Sequence, residues 1–269
     1  MPSYPPVRAV TRALMLLQEL NRRPVMTVHQ IYEVTGLPKP TIVRLLETLV
    51  DAGFVSNDPH HGGYQVTSLV SSLSAGFHGD VIAVEAARAW AVQLTQRFLW
   101  PVGVAVLDRD AVKVRFSTVA ESPISPFHAT INMRLSLVSR ALGRAYLAFC
   151  PGAERELLID ILAQSDDPED APARNPRQLS MMIRTVRQQG FAERDTTVHP
   201  QSSGTIAVPI FWKQRVLATI CMTFFRSAVP RAKAIEIFLE PLQSAARGIE
   251  ESIRMLHAAS NIDDSGSEA

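Results

Sequence analysis

Two cysteines in 269 residues, Cys150 and Cys221, are too few and too far apart for a disulfide framework or a cysteine-based zinc site. No stretch approaches the ~18 to 20 apolar residues of a membrane span, and the opening MPSYPPVRAV lacks the apolar centre of a secretory signal. The formal net charge is only +1, so the chain as a whole is committed neither to nucleic acid nor to an anionic surface. A site-specific DNA reader nevertheless needs only a local basic face. Catalytic signatures are missing too: there is no Gly-rich phosphate loop, no G-x-S-x-G elbow, no H-E-x-x-H and no C-x-x-C. Asp108 and Asp110 flank a turn, where aspartate is common for backbone reasons, and no third metal ligand is near. The expectation is a cytoplasmic protein without metal or cofactor, and not an enzyme.

What is present is a globular balance, 46% apolar and 20% charged, in a chain long enough for two ordinary domains. Residues from about Val7 to Val66 carry short amphipathic helices and then HHGGYQV, in which Gly62 and Gly63 supply a hairpin turn. Helical spacing of Val84, Ala87, Ala91, Leu94 and Phe98 predicts a connecting helix. Beyond it lie two β-rich runs around Asp108-Arg109-Asp110 and a helix in SRALGRAYLAF. Two further helices follow, over Gly152 to Leu162 and Arg177 to Gln189, separated by the polar loop SDDPEDAPARNP. GTIAVPIFW and RVLATICMTFF then read as an antiparallel pair, followed after Pro230 by a long amphipathic helix to about His257. The tail Asn261 to Ala269 has the composition of disorder.

The stretch TVHQIYEVTGLPKPTIVRLLETLVDAGFV is the most informative. Thr27 with Gln30 three residues on forms a capping box, and Gly36 can take the left-handed geometry that ends a helix. Val28, Ile31 and Val34 read as one apolar face, and Leu14 and Leu17 of the preceding helix as its packing partners. Pro38 and Pro40 fit only a first helical turn, so a second helix starts about Pro38. Ile42, Leu45, Leu46 and Leu49 form its buried stripe. The opposite face presents Thr41, Arg44 and Thr48 with Lys39 at the N-terminal end, as suits a helix entering a major groove. Three helices and a glycine hairpin make a winged helix-turn-helix. The bland alternative is a helical pair with solvated cations. His60 and His61 fall at the wing tip, where they either meet phosphate or are simply exposed.

RAVTRALMLLQEL, TGLPKPTIVRLLETLVDAGFV and YQV resemble the IclR family of bacterial transcription regulators. SRALGRAYLAF resembles its "TA-x-G-[KR]-A-x-LA" helix, QQGFAERD its "QG[YF]A" segment and GTIAVPIF its "IA-x-P[VI]" strand. Through FLWPVGVAVLD, FHATINMRLSL and AYLAFCP the chain looks most like family regulators of hydroxyphenylpropionate and related aromatic-acid catabolism. The resemblance implies an α+β chain with a winged helix-turn-helix over 1–68, a linker helix over 69–98 and a GAF-like mixed α/β effector domain over 99–258, ahead of a disordered tail, 259–269. It implies homodimers that often pair into tetramers, a palindromic or near-palindromic DNA operator, and recognition by Pro40, Thr41 and Arg44. Many members carry Ser or Arg where this chain has Pro40, which removes a phosphate donor. Asn132-Met133-Arg134-Leu135-Ser136-Leu137 lacks the Gly and Pro of the family's "G-[RK]-x-x-P-L".

A small aromatic carboxylic acid needs apolar walls and a partner for its carboxylate. The candidates are His128 and Arg134 for the carboxylate, Thr205, Cys221 and Thr223 on the predicted strands, and Trp100 and Phe127 as walls. Each also has an ordinary reading, as solvated loop or as core. The combined expectation is a ligand-responsive activator of an aromatic-acid operon. The alternatives are a repressor answering another small carboxylic acid, a small-molecule enzyme with an appended winged helix, and a dimerising winged helix without a ligand.

Overall fold

The computed structural model describes residues 4, 6–58, 62–74, 82–127 and 130–265; His60, His61 and His128 lie outside them. Contacts divide the chain into two compact units, Met1–Gly79 and Asp80–Ala269.

The first unit carries α1 (Arg8–Leu20), α2 (Val28–Thr35), α3 (Lys39–Asp51), the strands β1 (Val55–Asp58) and β2 (Gly63–Val66), and a 3₁₀ turn at Ser68–Ser74. The capping box at the start of α2 is formed in both directions between Thr27 and Gln30. Gly36 closes α2 with φ 65°, and Pro38 caps α3. The core gathers Leu16, Leu20, Met26, Ile31, Ile42 and Leu46, all fully buried. Two expected core positions are corrected. Leu14 is 53% exposed and Val34 43%. At about 100° per residue Leu14 stands some 200° from Leu16, on the far side of α1, and the stripe Leu16-Leu17-Leu20 does its work instead. The wing is a hairpin, Val55 opposite Val66, joined by Met26, whose N–H donates to Tyr64 O (2.9 Å) while Tyr64 N–H donates to Met26 O (2.8 Å). Gly63 is required by this approach, since a Cβ there would lie 2.5 Å from Val25 Cγ1.

The second unit opens with α4 (Ile82–Phe98), then β3 (Val102–Asp108), β4 (Ala111–Ser117) and β5 (Arg134–Ser136). It continues through α5 (Ala141–Phe149), α6 (Gly152–Ala163), α7 (Pro176–Gln189), β6 (Ala192–Glu193), β7 (Ser203–Trp212), β8 (Arg215–Phe225) and α8 (Arg231–Ser265). The strands form one antiparallel sheet in the order β5-β4-β3-β8-β7-β6. Alternation along each strand sends Val104, Ile206, Val208 and Ile220 to one face, beneath α4 and α8, and Ala105, Val114, Ala207 and Cys221 to the other, beneath α5 and its neighbours. The expected separate linker over 69–98 is divided: Ser68–Ser74 belongs to the first unit, while α4 buries Ala83, Val84, Ala87, Ala91 and Leu94 in the second. Its small side chains admit α8, where Gly248 leaves room for Trp90; a Cβ at 248 would lie 2.2 Å from that ring. Within the segment expected to be a disordered tail, 259–269, α8 extends to Ser265 and the remainder lies outside the described residues. The polar loop after α6 holds a 3₁₀ turn, Pro168–Arg174, with Asp170 wholly buried.

Candidate functional site

Two faces of the molecule carry exposed or buried chemistry beyond what packing needs. On the first unit, Thr41, Arg44, Leu45 and Thr48 of α3 line a groove with Arg8, Arg12 and the residues between them on α1. Arg8, Arg12 and Arg44 have no ion-pair or side-chain hydrogen-bond partner among the described residues, so their guanidinium groups are available to a polyanion. Lys39 opens α3 with its Nζ 5.8 Å from the centre of the Tyr32 ring, and Pro40 follows within the first turn. Thr48 donates its hydroxyl back to Arg44 O (2.8 Å), which leaves its oxygen lone pairs, rather than its proton, for a partner.

On the second unit, a cavity of about 60 Å³ lies between the sheet and the start of α5. Its apolar walls come from Val102, Val114, Val119, Phe127, Met133 and Leu142. Hydroxyls enter in pairs: Thr130 donates to Ser117 Oγ (2.7 Å), and Thr205 and Thr223 share a 3.1 Å bond. Burial pushes the Cys221 thiol up to about 11, so at neutral pH it faces the cavity as a neutral thiol.

Two arginines reach the same cavity. Arg140, at the N-cap of α5, holds Glu169 through both ends of its guanidinium, with Nε to Oε2 at 2.7 Å. Arg194 is only 5% exposed and has no carboxylate partner. One terminal nitrogen donates to Ser203 Oγ, the other to Val198 O (2.8 Å) and Pro200 O (3.0 Å), and its buried Nε bonds nothing among the described residues. Burial, with Arg140 and Arg226 nearby and against the attraction of Glu169, pushes its guanidinium down to about 10, so it is still a cation at neutral pH. A buried cation with no bonded carboxylate beside an apolar cavity is costly and is relieved by an anion.

Comparison with known proteins places these two faces in one frame. The family model described as "IclR helix-turn-helix domain" matches residues 9–59, and "Bacterial transcriptional regulator IclR C-terminal" matches residues 84–251. The chain belongs to the IclR family. Among IclR relatives, the HTH-type transcriptional regulator XynR of Escherichia coli (strain K12) is 25% identical over 252 residues, 93% of this chain and 98% of XynR. The IclR of Thermotoga maritima superposes with a TM-score of 0.62 at 21% identity, covering 92% and 99% of the two chains. An IclR homologue from Microbacterium hydrocarbonoxydans, solved in complex with 4-hydroxybenzoate, superposes with a TM-score of 0.57 at 18% identity, covering 92% and 99%. This IclR protein is therefore a DNA-binding transcriptional regulator with a small-molecule effector domain, and not an enzyme.

The structure brings Thr205, Cys221, Thr223 and Phe127 together around this apolar cavity and places two other candidate residues, Arg134 and Trp100, outside it. Arg134 turns away, bonded to Asp110 (2.8 Å), Asp167 (3.0 Å) and Asp170 (3.4 Å). The cause is strand alternation: Leu135 of β5 faces the cavity, so Arg134 faces outward. Trp100 is buried in the opposite core, edge-on to Phe225 at 5.9 Å. Sequence reasoning missed Arg140 and Arg194. Both lie inside segments that carry the family resemblance, SRALGRAYLAF and QQGFAERD, and that position was the available signal, since nothing local marks either as buried.

Proposed function

We propose that this protein is an acid-responsive activator of an aromatic-acid catabolic operon, with the effector's carboxylate held by Arg194 and its ring between Phe127, Val114 and Leu142. The observation that carries this reading is the buried Arg194 without a carboxylate partner at the wall of an apolar cavity. Support for an aromatic effector comes from the homologue complexed with 4-hydroxybenzoate and from the sequence segments shared with aromatic-catabolism regulators. Lys39, Pro40, Thr41, Arg44 and Thr48 would face a palindromic operator, one half-site per protomer of a dimer or of a dimer of dimers, with Arg44 the main base reader. Arg8 and Arg12 add phosphate contacts.

The cavity's size sets a condition. About 60 Å³ is small beside the ~300 to 1,000 Å³ of developed ligand sites, so a single-ring acid enters only if wall residues such as Val119, Phe127, Thr130 and Met133 move outward. That displacement is the coupling: an effector contributes its differential affinity for the opened state, and ~1 to 3 kcal/mol suffices for a usable regulatory factor. The same size favours a second reading, a repressor answering a short-chain carboxylic acid that needs no such opening. Fluorescence anisotropy of the protein on its own upstream DNA, with a panel from pyruvate-sized acids to phenylpropionate and cinnamate, separates the two. In vitro transcription with the responding acid gives the sign. DNA binding indifferent to every acid would sink both.

A further inference from the structure

Arg194 and Thr205 line a second cavity as well as the first. This one is larger, about 320 Å³, and polar, built from the end of β6, the starts of β7 and α8 and the chain after β8. Its charges do not balance. Of the four arginines on its wall, Arg144 is bonded to Asp195 and Arg231 to Glu193, which uses both carboxylates present. Arg194 has none. Arg226 donates its Nε to Ser203 O (3.1 Å), and its two terminal nitrogens bond nothing among the described residues. Among the described residues, two guanidinium groups thus lack a bonded carboxylate in one concavity, Arg226 exposed and Arg194 buried with an unpaired Nε and only the more distant Glu169 to attract it. The N-terminus of α8 adds to the same positive potential, since Arg231 is its first residue and no acidic side chain sits in its first turn.

We infer that this polar cavity is an anion site separate from the apolar effector cavity, taking a doubly charged tetrahedral oxyanion of the phosphate type. Two guanidinium groups without a bonded carboxylate suit a dianion in charge, and a guanidinium fork matches phosphate oxygens in geometry. Most side chains on this wall are charged or hydroxylated, with Phe224 the one aromatic among them, so recognition centres on the oxyanion. The oxyanion is either inorganic phosphate or the phosphate group of an ester. Because Arg194 faces both cavities, occupation of one changes the affinity of the other, and by linkage the effect is reciprocal.

The test is isothermal titration calorimetry of the full-length protein at fixed ionic strength in a buffer free of multivalent anions. Inorganic phosphate is titrated first, then glycerol phosphate as the ester arm. Saturable binding of one phosphate per chain is expected, weakened at least tenfold in Arg226→Gln and largely kept in Arg226→Lys, with an unchanged circular-dichroism melting midpoint as the folding control. Arg44→Gln, on the DNA-reading face, should leave it unchanged. Tighter binding of the ester than of free phosphate assigns the site to an organic phosphate, and the reverse order assigns it to the inorganic ion. No saturable binding of either, or binding lost in Arg44→Gln and kept in Arg226→Gln, overturns the inference. The inference does not rest on the acid-effector reading: phosphate held through Arg226 in a protein that ignores every carboxylic acid leaves it standing.

Discussion

Arg140 at the head of α5 grips Glu169 in the 3₁₀ turn with Nε on Oε2 at 2.7 Å and a terminal nitrogen on Oε1, so one edge of the apolar cavity is pinned to a segment 29 residues away. Ser139 adds a bond to the same carboxylate at 3.2 Å. Together with Arg134, which bonds Asp167 and Asp170 of that segment, this makes the polar stretch after α6 a strap over the α5 end of the sheet.

The pin sets a pH dependence. The hydrogen bond from Arg140 holds the Glu169 carboxyl below its ordinary 4.5, against an opposing effect of burial. As pH falls, the unfolded chain protonates this group first. Its stabilisation is therefore complete above about pH 4.5 and is lost as pH drops through the folded value. Glu169→Gln should lower stability at pH 7 by about 1 to 2 kcal/mol and flatten the acid limb of a urea-midpoint series; an unchanged acid limb would show the pin to be idle.

Arg194→Met keeps the length and apolar stem of the side chain while removing its charge. The expected result is an acid response shifted to at least tenfold higher concentration, about 1.4 kcal/mol, with operator affinity in the absence of acid unaltered. An unshifted acid response, read by anisotropy, would place the carboxylate elsewhere.

Arg44→Ala should weaken specific operator binding by roughly 1 to 3 kcal/mol and relax sequence preference at one position of each half-site. Arg12→Ala should instead weaken specific and random DNA alike and reduce the salt slope by about one. Competition assays at two salt concentrations distinguish a base contact from a phosphate contact.

Gly143→Ala brings a methyl group to 2.1 Å from Ser136 O and 2.7 Å from Leu137 Cα, both backbone atoms that cannot swing aside. A loss of about 3 kcal/mol or more is expected in thermal or urea unfolding of the purified variant. A melting midpoint equal to wild type would mean that α5 rides higher on the sheet than described.

The helix-turn-helix was legible because its signals are local. A capping box, a left-handed Gly36 and prolines confined to a first turn fix a helix pair without any knowledge of what surrounds it. The β3–β4 and β7–β8 pairings were legible for the same reason, a short turn between apolar runs. The effector site was only half legible. That Thr205, Cys221 and Thr223 line the apolar cavity follows from strand alternation once the strands are found, whereas Arg134 lies outside it because the sequence did not mark the three-residue β5, so its alternation could not be used. Arg194 carries no sequence mark of burial. Its surroundings are assembled from Val198, Pro200 and Ser203, and only the folded chain shows that none of them supplies a charge.

The pair of hydrogen bonds between Met26 and Tyr64 has a mechanical meaning. It staples the chain just before α2 to the wing, so hairpin and helices form a single lever rather than a helix pair with a loose flap. A push delivered to the wing therefore turns α3 with it. The two amide protons are also paired clocks: in hydrogen exchange they should run at one common rate, set by opening of the whole first unit rather than by fraying of the hairpin.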